Sequence, residues 1–145
     1  MMRRDTLRGN SRTGSVMVEL SLVGLVFFVL LVGIMDLGQF LFIQQALLDR
    51  ARYAARWGSV TDPTNVTAIK NMVLYQKAAA PKNGTKPFFR LTADMITVST
   101  ADSGTDKYRL ALQISGYSYT VLSPYLAGSY TGVPIRVSVP LGLYH

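Results

Sequence analysis

The sequence predicts an α+β protein: one long N-terminal hydrophobic helix packed against a small antiparallel β-sheet. Three observations carry that expectation. Residues 14–58 contain no proline and pass from a wholly apolar stretch into a one-sided helical pattern. Residues 96–139 show apolar alternation of period two, interrupted by polar and Gly-containing stretches. At 145 residues and 49% hydrophobic content, there is room for one modest domain beside such a helix. Three parts follow: a basic leader over residues 1–14, a membrane helix over 15–58, and an α+β domain over 59–145.

The leader is polar and has no apolar face of helical period. It holds Arg3, Arg4, Arg8 and Arg12 against Asp5 alone. A positive flank before an apolar segment marks the side retained in the cytoplasm during insertion. The following domain is then expected on the far side of the membrane. Between Glu19 and Asp36 the only polar side chain is Ser21. Twenty residues counted from Val16 span about 30 Å as a helix, the thickness of a bilayer's hydrocarbon core. An ordinary secretory signal has a shorter apolar core with a small-residue cleavage site after it. Here the small residue, Gly14, stands before the apolar run. Cleavage there would leave the apolar segment on the mature chain and free an amine at Ser15.

Glu19 is the residue that needs a reason. A carboxylate in hydrocarbon costs several kcal/mol and usually marks function. Near a helix N-terminus the positive end of the macrodipole reduces that cost, and an ammonium at Ser15 would lie about one turn away. Snorkelling to headgroup depth is the plain alternative.

Past Met35 the pattern becomes one-sided. Leu37, Leu41, Leu48, Ala51 and Ala55 recur near helical spacing, with Phe40, Gln44 and Leu47 alongside and Gln45, Asp49, Arg52 and Arg56 as polar positions. Gly58 reads as the stop, which makes a helix of about 65 Å at the usual rise per residue. Asp62 and Pro63 then read as the cap and first position of a short helix, with Val66, Ile69, Met72 and Val73 as its apolar stripe. Ile96 and Val98 alternate with polar residues, and the 101–107 loop, containing Gly104, suits a hairpin return. Tyr108, Leu110, Leu112 and Ile114 form the answering strand. At Gly116 the alternation changes phase, which signals a bulge or bend. Val133, Ile135, Val137 and Val139 alternate with Pro134 and Pro140, so this strand is placed at a sheet edge. The expected sheet has three or four strands. Tyr125 and Tyr130 read either as half-buried anchors or as an exposed contact surface. Asn65-Val66-Thr67 and Asn83-Gly84-Thr85 read as chance matches to a glycosylation pattern.

Composition excludes several classes. The chain has no cysteine, so it has neither disulfides nor thiolate sites. Its one histidine, His145, is the last residue and reads as a solvated tail. No nucleophile–base pair, paired acids, phosphate loop or metal cluster can be assembled, so neither an enzyme nor a cofactor is expected. Net charge is +7, yet its positive residues are dispersed without a groove-reading or stacking motif, so no nucleic-acid partner is expected.

The basic leader, Gly14, Ser15 and Glu19, the fifth residue from Ser15, together resemble the class III signal of type IV pilins and pseudopilins. Ser15 departs from the aromatic or Met found first in many of them. Asp36-Leu37-Gly38, Gln45-Ala46-Leu47 and the run Ala51-Arg52-Tyr53-Ala54-Ala55-Arg56-Trp57-Gly58 narrow the likeness. They resemble the N-terminal signature of TadE-like minor pseudopilins of tight-adherence (Flp) pili. That resemblance implies a pilin-like fold and cleavage after Gly14 by a prepilin peptidase. It also implies pairing of Glu19 with a neighbouring subunit's N-terminal amine. Partners would be other pilin subunits, membrane lipid, and an inner-membrane assembly platform with its secretion ATPase. Asp36 reads as a polar contact within that machinery or as the first residue emerging at the far membrane face, the latter preferred. Two alternatives stay open: an uncleaved single-pass anchor bearing a binding domain, or a pseudopilin of a type II secretion or competence system.

Overall fold

One helix runs through most of the molecule's length. In this computed structural model, which describes residues 11–102, 107–123 and 128–141, α1 extends over Ser11–Thr61 without a break. Its 51 residues correspond to about 76 Å at the α-helical rise. Arg3, Arg4, Asp5 and Arg8 of the leader, Gly104, Tyr125 and His145 lie outside the described residues.

Gly58 is not the stop that the sequence suggested. It lies inside α1, and the need for a glycine there comes from close packing instead of helix termination. A Cβ on Gly58 would come within 2.8 Å of the Ile69 side chain and 3.1 Å of Leu110. The helix ends three residues later, where Asp62 folds the chain into a turn. Its carboxylate accepts from the Thr64 amide at 2.9 Å and the Thr64 hydroxyl at 2.6 Å. Those bonds, the hydroxyl first, hold the Asp62 carboxyl below its ordinary pKa. The cap of α2 (Val66–Tyr75) is therefore Asn65 rather than Asp62, with Asn65 Oδ1 accepting from the Ala68 amide at 3.0 Å. This gives Asn65 a structural reason to be present. At the other end Gln76 adopts a left-handed conformation and its amide closes on the Met72 carbonyl at 3.0 Å.

The expected hairpin is formed by β1 (Ile96–Ala101) and β2 (Arg109–Ile114), and β5 (Ile135–Pro140) adds to the other side of β2. All pairings are antiparallel, and the proline-bearing β5 lies at an edge, as its sequence requires. Register stacks side chains of one sheet face in rows: Ile96, Ile114 and Ile135; Val98, Leu112 and Val137; and, where the face opens to solvent at Thr100, Thr100, Leu110 and Val139. On β2 all three inward residues are buried. The second half of α1 packs across β2 and β5, while α2 lies against α1 and reaches β1.

Gly116 ends this sheet rather than bending it. With φ at +74°, it turns the chain out of β2, and the next strand pairs elsewhere. The short strands β3 (Ser118–Thr120) and β4 (Ser129–Thr131) form a separate two-stranded sheet, with Tyr119 opposite Tyr130. Tyr117 is the hinge between the two sheets. It is buried, its hydroxyl donates to the Val133 carbonyl at 3.1 Å, and its carbonyl accepts from the Gly132 amide at 2.8 Å. Its ring occupies the space that a side chain on Gly132 would need. Burial raises the Tyr117 phenol above its ordinary pKa, with the neighbouring Tyr119 adding to the effect.

Candidate functional site: a bare helix and its junction with the domain

Among the described residues, the first half of α1 is left uncovered over its most apolar stretch. Its most apolar 18-residue window has a mean hydropathy of 2.6, and none of it is buried within the protein. Val16, Leu20, Phe27, Phe28, Leu30 and Ile34 are all exposed. A soluble chain cannot leave a surface of that size in water. α1 is thus long and apolar enough to cross a membrane. Within it, Ser21 returns its hydroxyl to the Met17 carbonyl at 2.7 Å, so the one polar side chain of the stretch is satisfied by its own helix.

Gly14 and Ser15 lie in the first turns of this helix, and among the described residues nothing beyond the local helix backbone comes within 4 Å of where a Gly14 Cβ would stand. Glu19 follows one turn later and is exposed. The fold therefore places the three residues of the expected signal within about one and a half turns of the same helix, exposed among the described residues. It does not bring them near the domain.

Asp36 stands where the bare half ends. Its Oδ1 accepts from the Leu122 amide at 2.7 Å and its Oδ2 from the Ser123 amide at 3.0 Å. Both oxygens are thus used on the loop that follows β3, in charge-assisted bonds of the stronger kind. Neither sequence reading supplied this role: Asp36 ties the domain's loop to the helix at the point where the helix becomes bare. Gly38, two residues on, has open space around it.

Beyond Asp36 the packed face differs from the stripe read in sequence. Leu37 and Leu41 remain exposed, while Ile43, Leu47, Ala51, Ala54, Ala55 and Gly58 form the buried stripe. Ala51, Ala54 and Ala55 each have 0% exposure. Small side chains there let α2 and the sheet approach the helix closely, which is what the Ala-rich signature accomplishes. Its two arginines point away. Arg52 pairs with Asp49, at 3.7 Å on the open surface, and Arg56 is exposed.

Sequence reasoning missed the arginine that does pack. Arg50 lies over the Phe88 ring, with 3.5 Å from guanidinium carbon to ring centroid. Its Nη1 donates to the Val73 carbonyl at 3.3 Å and approaches that of Leu74 at 3.5 Å. It thereby closes the C-terminal carbonyls of α2, where a cation is favoured. Burial lowers its pKa from the ordinary arginine value.

A long, half-bare N-terminal helix on a small antiparallel sheet defines the class: an α+β, pilin-like fold. Within that class, residues 14–56 match the model of the family described as TadE-like protein, so this segment is similar to that family. No curated protein and no solved structure gives a significant match.

Proposed function

We propose that this protein is a minor pilin or pseudopilin subunit of a Flp-type (tight-adherence) pilus, processed after Gly14 by a prepilin peptidase. One observation carries the reading: an apolar half-helix left uncovered by the described residues, headed by Gly14 and Glu19 and lying within a segment similar to the TadE-like family. Before assembly, lipid covers that half. The leader's arginines hold the N-terminus in the cytoplasm and leave the domain outside the inner membrane. During assembly, other subunits' helices replace lipid, and Glu19 meets the amine that cleavage frees on a neighbour. The protein itself performs no reaction. Cutting is done by the peptidase, and extraction by the assembly platform with its secretion ATPase.

Intact mass of the protein from membranes with and without a prepilin peptidase tests this. The expected result is loss of residues 1–14 only when the peptidase is present. A chain that keeps its leader under both conditions would leave the alternative, an uncleaved anchored domain. Glu19→Ala is expected to insert and be cut normally yet to enter fibres poorly, and normal adherence by that variant would remove the pairing role.

A further inference from the structure

The apolar surface does not stop at the end of the bare half-helix. Past residue 35, the exposed large apolar side chains among the described residues are Tyr53, Val60, Val66 and Tyr130, plus a group of six. The six are Leu37, Leu41, Phe42, Phe89, Leu122 and Val133, and contacts place them around one level of α1. The Leu122 amide is bonded to Asp36. The Phe89 ring lies 6.4 Å from that of Phe42. Pro134, next to Val133, shares a groove with Leu41 and Phe42. From Asp36 to Phe42 the helix rises about 9 Å.

Two further features fit the same ring. Phe89 and Arg90 both adopt left-handed backbone conformations, with φ of 46° and 55°, unfavourable for side-chain-bearing residues. That turn leaves Phe89 exposed beside Phe42 rather than in the core. Arg90 borders the ring beside Gln39, and Arg136 borders it beside Leu41 and Phe42. Neither arginine forms an ion pair among the described residues. Asp36, the acid of this level, has its two oxygens turned to backbone amides.

We infer that the base of the domain is a membrane-docking collar: Leu37, Leu41, Phe42, Phe89, Leu122 and Val133 sink into the outer lipid interface, and Arg90 and Arg136 meet lipid phosphates. Continuity chooses lipid as the occupant, because the collar extends the surface of the spanning half-helix without a gap. Thickness agrees. Interfacial elements bury their apolar face about 5–10 Å into the headgroup and acyl boundary, matching the height of the ring. The domain would then rest on the bilayer at a fixed height instead of standing clear on its helix. This rests on the membrane reading of α1.

The test uses the full chain in phosphatidylcholine–phosphatidylglycerol vesicles whose acyl chains are brominated near their glycerol end. Trp57 is the only tryptophan and lies about 22 Å along the helix from Phe42, so the native protein supplies the unquenched control. In a Trp57→Phe background, Leu30→Trp reports insertion, while Leu122→Trp and Val133→Trp report the collar from positions where the larger ring meets open surface. Loss of emission at all three, with a blue shift at 122 and 133, is expected. Quenching of Leu30→Trp with water-like emission at 122 and 133 would overturn the collar and leave the membrane helix standing. A blue shift at 122 and 133 without quenching, growing with protein-to-lipid ratio, would give the surface to a second copy and also overturn it. Absence of quenching at Leu30→Trp would sink both readings together.

Discussion

The two halves of α1 belong to one unbroken helix and live by opposite rules. Residues 16–35 carry Phe, Leu, Ile and Val on every side, and every one of these large side chains except the half-buried Val32 is exposed among the described residues. Residues 43–58 concentrate their packing in one stripe, where alanines at 0% exposure and a buried glycine admit the sheet and α2. Side-chain size accounts for the difference. Small residues bring backbones together inside a domain, and large ones on all sides suit a surrounding that is itself apolar and fluid. Asp36 marks the change and, through its two amide bonds, fastens the packed region at that point.

The largest effect that would break this comparison is in the core stripe. Leu47→Ala removes a side chain with 0% exposure and should cost about 2–5 kcal/mol in denaturant unfolding of the domain. Leu30→Ala, in the bare half, should stay within about 0.5 kcal/mol in the same assay. Equal losses at both sites would mean that the bare half belongs to the domain after all. Gly58→Ala comes next. Its methyl group meets Ile69 at 2.8 Å, and crowding of this kind typically costs about 1–3 kcal/mol. An unchanged midpoint would return Gly58 to the role of a dispensable helix end.

That glycine illustrates what the sequence could convey. The long helix, the 96–114 hairpin and the edge position of the proline-bearing strand were legible because each rests on a local period. The rest depends on partners far along the chain. Nothing near Asp36 announces amides 86 and 87 residues away. Arg50, Arg52 and Arg56 look alike as letters, and only the direction of the packed stripe decides that Arg50 lies over Phe88. Strands β3 and β4, of three residues each, are too short for alternation to reveal. Asp62 and Asn65 are both good caps by type, and the tight turn taken by Asp62 leaves the cap to Asn65. The spacing of Gly14, Ser15 and Glu19 is itself the pattern that raises the expected signal, and its cleavage is left to the mass measurement.

Smaller effects sharpen the boundary. Asp36→Asn keeps the shape and removes the charge, so it should cost about 1–2 kcal/mol. Hydrogen exchange should show that loss locally, as faster exchange at the Leu122 and Ser123 amides with the Leu112 amide unmoved. Uniform acceleration across the domain would assign Asp36 to global stability instead of the junction. Asp49→Ala is the smallest. Its partner Arg52 lies 3.7 Å away with both side chains more than half exposed, so the expected change is under about 0.5 kcal/mol.

The comparison of the two half-helices meets its most direct test in thiol accessibility, which a chain without cysteine makes clean. Leu30→Cys and Arg56→Cys are made singly in the full-length protein, and membranes are treated with an impermeant maleimide before and after detergent. Arg56→Cys should label in both states, and Leu30→Cys only once detergent has dissolved the bilayer. Equal labelling of the two in intact membranes would contradict the account, because the bare half-helix would then stand in water.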